Sequence, residues 1–129
     1  MLRRHGLKAF ALVSSAAVLI GAVGTFSASA GPSKGDAAKG KAIFTTKCVV
    51  CHKADGTGGV KLTGNPTPNW RDAKRMADPA HNDDYLRDCI TNGKTKSGMV
   101  AWGKTGQIKP DQIEDLIAYI RTFSAPAKK

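Results

Sequence analysis

The sequence predicts an all-α domain with three main helices, and two observations carry that prediction. Apolar residues recur at helical spacing in Ile113, Leu116, Ile117, Ile120 and Phe123, and again in Leu86, Cys89 and Ile90. Residues that start helices stand ahead of both runs and ahead of a third segment from Ala37: Asp36, then Asn82 or Asp83, then Pro110 in the first turn.

The chain of 129 residues opens with Arg3, Arg4 and Lys8, followed by an apolar run from 9 to about 23 and the small residues Ala28-Ser29-Ala30 before Gly31. That order is the layout of a secretory signal peptide. The apolar run is shorter than the roughly 20 residues of a membrane span. Residues 1–30 are therefore expected to be a signal peptide and residues 31–129 a single domain, with its core at 36–124. The protein is expected to be exported and periplasmic, and soluble once the leader is cleaved. An uncleaved leader anchoring it to the membrane is the alternative. The chain has 20 Lys plus Arg against 10 Asp plus Glu, and the leader carries three of the bases and no acid, so the remainder has a net charge of +7. Such a balance suits docking on acidic protein surfaces. A nucleic-acid partner is not indicated, because no basic cluster with interleaved aromatics occurs.

Asp36 is placed to cap a helix running to about residue 48, on which Gly40, Phe44 and Cys48 form one stripe with Ile43 beside it. Gly40 costs about 1 kcal/mol of helix propensity against Ala. Such a glycine often permits another helix to approach closely. The stripe leads into Cys48-Val49-Val50-Cys51-His52. The pattern C-x-x-C-H attaches c-type haem. Two thiols three positions apart reach the two vinyl groups of one porphyrin, and the next imidazole lies beneath the iron as its proximal ligand. A zinc ribbon would need a second cysteine pair, and only Cys89 remains. A thioredoxin-like site would need a preceding strand, and residues 37 to 47 read as helix. One covalently attached haem c is the expected cofactor, and it would supply much of the core that so small a domain lacks.

A glycine-rich loop from Gly56 to Gly64 follows, and then Asn65-Pro66-Thr67-Pro68-Asn69-Trp70, which the prolines hold extended. Residues 71 to 80 read as a short helix and turn. Within them Met76, beside Lys74 and Arg75, reads as surface, as does His81. The next helix ends near Thr91, stopped by Gly93, and turns Cys89 inward as a small hydrophobe, with intermolecular disulfide pairing as the other reading. Before the last helix, Ile108 and Ile113 are spaced for a hydrophobic staple around Pro110 and Asp111. The tail from Ala125, with Pro126 and two lysines, is short and expected to fray.

The motif at 48–52 is joined by Ser97-Gly98-Met99-Val100-Ala101-Trp102-Gly103, lying between the third and last helices. With these two segments, residues 36 to 124 resemble the class I cytochromes c. The resemblance implies the cytochrome c fold: three main helices plus loops wrapped around one haem, with the N- and C-terminal helices crossed. Tyr119 or Leu116 would then lie over Gly40 and Phe44. It implies that the Met99 sulfur is the second iron ligand, opposite His52, although Val100 stands where the family usually has proline. Pro68-Asn69-Trp70 is similar to the family's Pro-Asn-Leu. That likeness implies a hydrogen bond from His52 Nδ1 to the Pro68 carbonyl and packing of Trp70 on the porphyrin, with plain core as the other role for Trp70.

The implied function is a monomeric carrier of single electrons between redox proteins, with no catalytic residues and no small-molecule substrate. Lys47, Lys53, Lys61, Lys94, Lys96 and Lys104 flank the haem-bearing segments and could form a rim for acidic partners. The alternatives are a haem enzyme or gas sensor with a displaceable Met99, or the haem subunit of a larger dehydrogenase or oxidase.

Overall fold

The computed structural model describes residues 34–125; the expected signal peptide, residues 1–30, and the tail beyond Ala125 lie outside the described residues. The helices are α1 (Ala37–Lys47), α2 (Val49–His52), α3 (Ala73–Ala77), α4 (Asp83–Asn92) and α5 (Pro110–Thr122), with single 3-10 turns at Pro79–His81 and Thr95–Ser97. α1, α4 and α5 are the three main helices. Among the described residues no strand forms, and the all-α expectation holds.

The helix starts follow from their side chains. Asp36 accepts from the N–H groups of Ala38 and Lys39, at 2.8 and 3.3 Å. Its own N–H donates to Asp115 Oδ1 at 2.7 Å, which ties the start of α1 to α5. At α4 the cap is Asn82, accepting from the Tyr85 N–H at 2.9 Å, while Asp83 is the first helical residue. Gly93 ends that helix at φ 71°, a conformation that favours glycine. At α5 the Gln112 side chain accepts from the Lys109 N–H at 2.9 Å, and Ile108 and Ile113 are both buried, so the staple forms.

α1 and α5 cross with their backbones in contact. A Cβ added at Gly40 would be driven into the Asp115 carbonyl, next to the Leu116 N–H. One turn on, buried Phe44 meets the edge of Tyr119 at 5.2 Å and Phe123 at 5.5 Å. Leu116 and Tyr119 thus occupy the two positions at the crossing that the resemblance implied.

α4 packs on α5 through Leu86 and Ile90 against Leu116, Ile117 and Ile120, which belong to one hydrophobic core. Arg87 adds a two-pronged pair with Glu114, Nε to Oε1 at 2.5 Å and Nη2 to Oε2 at 2.9 Å. The Arg87 guanidinium holds the Glu114 carboxyl below the usual carboxylate range.

Arg121 of α5 reaches the other way. It donates to Asp83 Oδ1 at 2.7 Å, to the Met76 carbonyl at 2.8 Å and to the His81 carbonyl at 2.7 Å. These bonds pin segment 76–83 to the last helix.

That pinning corrects two expectations. Met76 is not a surface residue: it is buried, inside the core cluster with Trp70 and Leu116. α3 has only five residues, with Lys74 exposed, Arg75 half-buried and Met76 turned inward. His81 is half-buried rather than external, with its ring edge-on to Tyr85 at 5.0 Å. A segment this short has no apolar periodicity to reveal which side faces in.

Gly40→Ala is expected to destabilise the holoprotein by about 1–3 kcal/mol, the range for overpacking, although alanine favours helix by about 1 kcal/mol. Denaturant unfolding monitored by circular dichroism measures it. A stabilised variant would show that the helices separate without cost.

Candidate functional site

The helices enclose a cavity of about 810 Å³ whose wall includes Cys48, Cys51, His52 and Met99. The first three come together because the chain makes one more helical turn after α1. Cys48 closes α1 by donating its N–H to the Phe44 carbonyl at 2.9 Å, and the His52 N–H returns to the Cys48 carbonyl at 2.9 Å. Positions i, i+3 and i+4 share a helix face. Both thiols and the imidazole therefore line the cavity, while Val50 between them is 82% exposed. Lys53, at φ 57°, ends the turn.

His52 is buried, and its ring lies flat against Trp70, with centroids 4.2 Å apart and planes within 9°. Burial lowers its pKa to about 4, so the imidazole is neutral, the form that binds a metal. Burial likewise pushes the Cys48 thiol up to about 11, against a smaller opposing effect of Lys47.

His52 Nδ1 is sealed from solvent and has no hydrogen-bond partner. The bond to the Pro68 carbonyl implied by the resemblance is not made. That carbonyl is packed against Gly58, where a Cβ would collide with it. Pro68 does line the cavity. Trp70 also lines it, but its closest ring contact is the imidazole, and Phe44 and Phe123 back it at 6.0 and 6.2 Å. Trp70 is thus both core and a support for the His52 ring.

Thr67, which nothing in the sequence marked beyond its two flanking prolines, is a hub of this region. Its hydroxyl donates to the Cys51 carbonyl at 2.8 Å and accepts from the Val60 N–H at 3.0 Å. Its backbone adds bonds to the Gly59 N–H and the Val60 carbonyl, each at 2.9 Å. The glycine-rich loop is thereby fastened to the turn that carries the thiols.

Met99 arrives from the other direction. It exchanges two backbone hydrogen bonds with Lys94, both 3.1 Å, around a left-handed Gly98. Gly93 lies so close beneath the Met99–Ala101 backbone that a Cβ there would collide with it. The Met99 side chain is half-buried against the core. Met76, Arg75, His81, Tyr85 and Cys89 line the same cavity, and sequence reasoning did not place them there. Cys89 is buried, as its helix face implied. Of the six flanking lysines, Lys47, Lys94 and Lys96 reach the cavity wall, and Lys53, Lys61 and Lys104 do not.

The residues fit a covalently held haem. The cavity lies within the roughly 300–1,000 Å³ of cofactor sites, and its walls are mainly apolar. Cys48 and Cys51 would hold the macrocycle as thioethers, and neutral His52 would ligate its iron. Among the described residues no group of three or more His, Cys, Asp and Glu gathers as zinc would require.

A helical shell with this turn on its cavity wall defines a class I, single-haem c-type cytochrome. The chain belongs to that family: the model described as cytochrome C oxidase, cbb3-type, subunit III matches residues 35–120. It is 37% identical over 86 residues to a cytochrome c6 of Rippkaea orientalis, covering 67% of this chain and 69% of that protein. It is 34% identical over 90 residues to the cbb3-type cytochrome c oxidase subunit FixP of a Bradyrhizobium species, covering 67% of this chain but only 30% of that subunit. The solved structure of the KustC0563 c-type cytochrome superposes with a TM-score of 0.52 at 21% identity, covering 67% of this chain and 98% of that one, and shows the same fold. The cofactor is covalently bound haem c, and the protein is a c-type cytochrome of electron transfer.

Thr67→Val is expected to cost about 1–3 kcal/mol, since it leaves the Cys51 carbonyl and the Val60 N–H short of a partner. Thr67→Ser should recover most of the loss. Chemical denaturation of the two holoproteins checks this, and equal stability of the valine and serine variants would refute it.

Proposed function

We propose that this protein is an exported carrier of single electrons whose haem iron is held by His52 and Met99. The observation that carries the reading is the half-buried Met99 thioether on the same cavity wall as neutral His52, in a loop tied at both ends. Bound haem supplies reversible one-electron chemistry, and a thioether opposite an imidazole raises its potential by favouring ferrous iron. The chain's own residues orient the ligands: Trp70 backs the imidazole, and the Lys94–Met99 bridge holds the thioether. Met76 also lines the cavity, but it is packed within the core, whereas Met99 sits at the core's edge.

The leader pattern supports export to the periplasm, with residues 1–30 removed. Among the described residues no helix is long and apolar enough to cross a membrane. Docking on acidic partners is supported by the cavity mouth, where Leu62 and Val100 are exposed and Lys47, Lys94 and Lys96 stand nearby on the same wall. An apolar centre with basic neighbours matches an acidic docking surface. A second reading, the haem subunit of a larger oxidase, is favoured by the similarity to FixP.

Met99→Ala should permit rapid carbon monoxide binding by the ferrous protein and lower its potential. Met76→Leu, which conserves volume at a buried site, should do neither. Stopped-flow spectroscopy and an anaerobic redox titration read both. Rapid, stoichiometric carbon monoxide binding by the unmutated protein would replace the carrier reading with a sensor or enzyme.

Electron transfer to an acidic partner should slow as salt rises, because the Debye length falls from about 10 Å at 0.1 M to about 3 Å at 1 M. Laser-flash kinetics across that range measure it, and a rate indifferent to salt would refute steering.

A further inference from the structure

The cavity wall has a charge pattern that iron ligation does not require. It includes Lys47, Arg75, Lys94 and Lys96, and no carboxylate. Two of these cations and an imidazole converge on one edge, around Tyr85. The His81 ring stands edge-on to the Tyr85 ring at 5.0 Å, and Lys94 Nζ lies 5.3 Å from its centroid. The Arg75 charge also acts on the Tyr85 phenol.

The donors at this edge are poorly matched within the chain. Half-buried Arg75 makes no side-chain hydrogen bond or ion pair among the described residues, although a guanidinium offers five donors. Lys94 has one carboxylate partner, Asp88 at 3.4 Å, in a pair with both side chains substantially exposed and therefore weak. His81 Nδ1 is sealed, with the Asp78 carboxylate 3.8 Å away, beyond hydrogen-bond reach. Nε2 is then the ring nitrogen available to a group in the cavity. Arg121 holds the Met76 and His81 carbonyls, so the backbone that carries Arg75 and His81 is set in advance.

We propose that Arg75, His81 and Lys94 are the carboxylate-binding edge of the cavity and hold the two propionates of the haem. The proposal rests on covalent haem and is independent of which methionine ligates the iron. A guanidinium fork grips a carboxylate in two places, and the lysine acts as a point charge. These cations offset the propionate charge near the iron. Losing one favours the ferric state, so the potential falls.

The test uses the holoprotein in four variants: Arg75→Gln, Arg75→Lys, Lys94→Gln and, as a control, Lys74→Gln. Lys74 is exposed, adjacent to Arg75 and outside the cavity wall, and its replacement removes the same charge. Haem content by pyridine haemochrome comes first; absence of covalent haem in the wild type would defeat the cofactor assignment itself. Redox titration and redox-difference infrared spectra of the carboxylate bands then decide the proposal. Arg75→Gln and Lys94→Gln should lower the midpoint potential and shift the propionate bands, Arg75→Lys should restore most of both, and Lys74→Gln should change neither. If the Arg75 variants do not mature, Lys94→Gln and His81→Gln carry the same comparison. Cavity variants that match Lys74→Gln in potential and leave the propionate bands in place would overturn it.

Discussion

The contact on which the rest depends is the backbone-to-backbone crossing of α1 and α5 at Gly40. With no side chain there, the Asp115–Leu116 backbone sits directly on α1. That fixes Phe44 one turn later against Tyr119 and Phe123, and Phe44 and Phe123 back Trp70. Trp70 in turn lies flat on His52. The position of the His52 imidazole is therefore the end of a stack of aromatic contacts that begins at a missing methyl group.

Around that stack, α5 works as the spine of the domain. Its buried face supplies Leu116, Ile117 and Ile120 to the core, and two polar fastenings act outward from it: Glu114 to Arg87 of α4, and Arg121 to the segment 76–83. What remains between these elements is the haem cavity. A domain of this size buries a limited fraction of its surface, and the macrocycle completes the apolar interior that the side chains leave open. Folding and haem attachment are in this sense one problem: the walls are apolar because they face a cofactor.

The same economy shapes the electrostatics. Burial lowers the His52 pKa to about 4, so the imidazole is neutral and brings no positive charge into the interior. The cations on the wall belong to residues at its edges, Lys47, Arg75, Lys94 and Lys96, and each is half-buried or exposed. An apolar middle with a basic border suits a flat, largely apolar group that carries acidic substituents.

Much of this was legible before folding was considered. The attachment turn needs only local geometry, since i, i+3 and i+4 on one helical turn bring Cys48, Cys51 and His52 to the same side. Helix caps are local too, and Asp36 and Gly93 act where the sequence puts them. The staple at Ile108 and Ile113 and the inward face of α4 follow from a 3.6-residue period over enough turns to count. The resemblance to a known family added the crossing at Gly40 and the loop bearing Met99.

Other features exist only because distant segments meet. Met76 and His81 sit in pieces too short to show a period, and Arg121, some forty residues later, turns them inward. Thr67 matters because it reaches back to Cys51, and Trp70 serves His52 because the loop between them folds over. By itself the sequence determined which chemistry this protein performs, because haem attachment is written in adjacent residues. Only the tertiary structure decided which side chains surround that chemistry, because burial and hydrogen bonding across dozens of residues depend on how the helices pack.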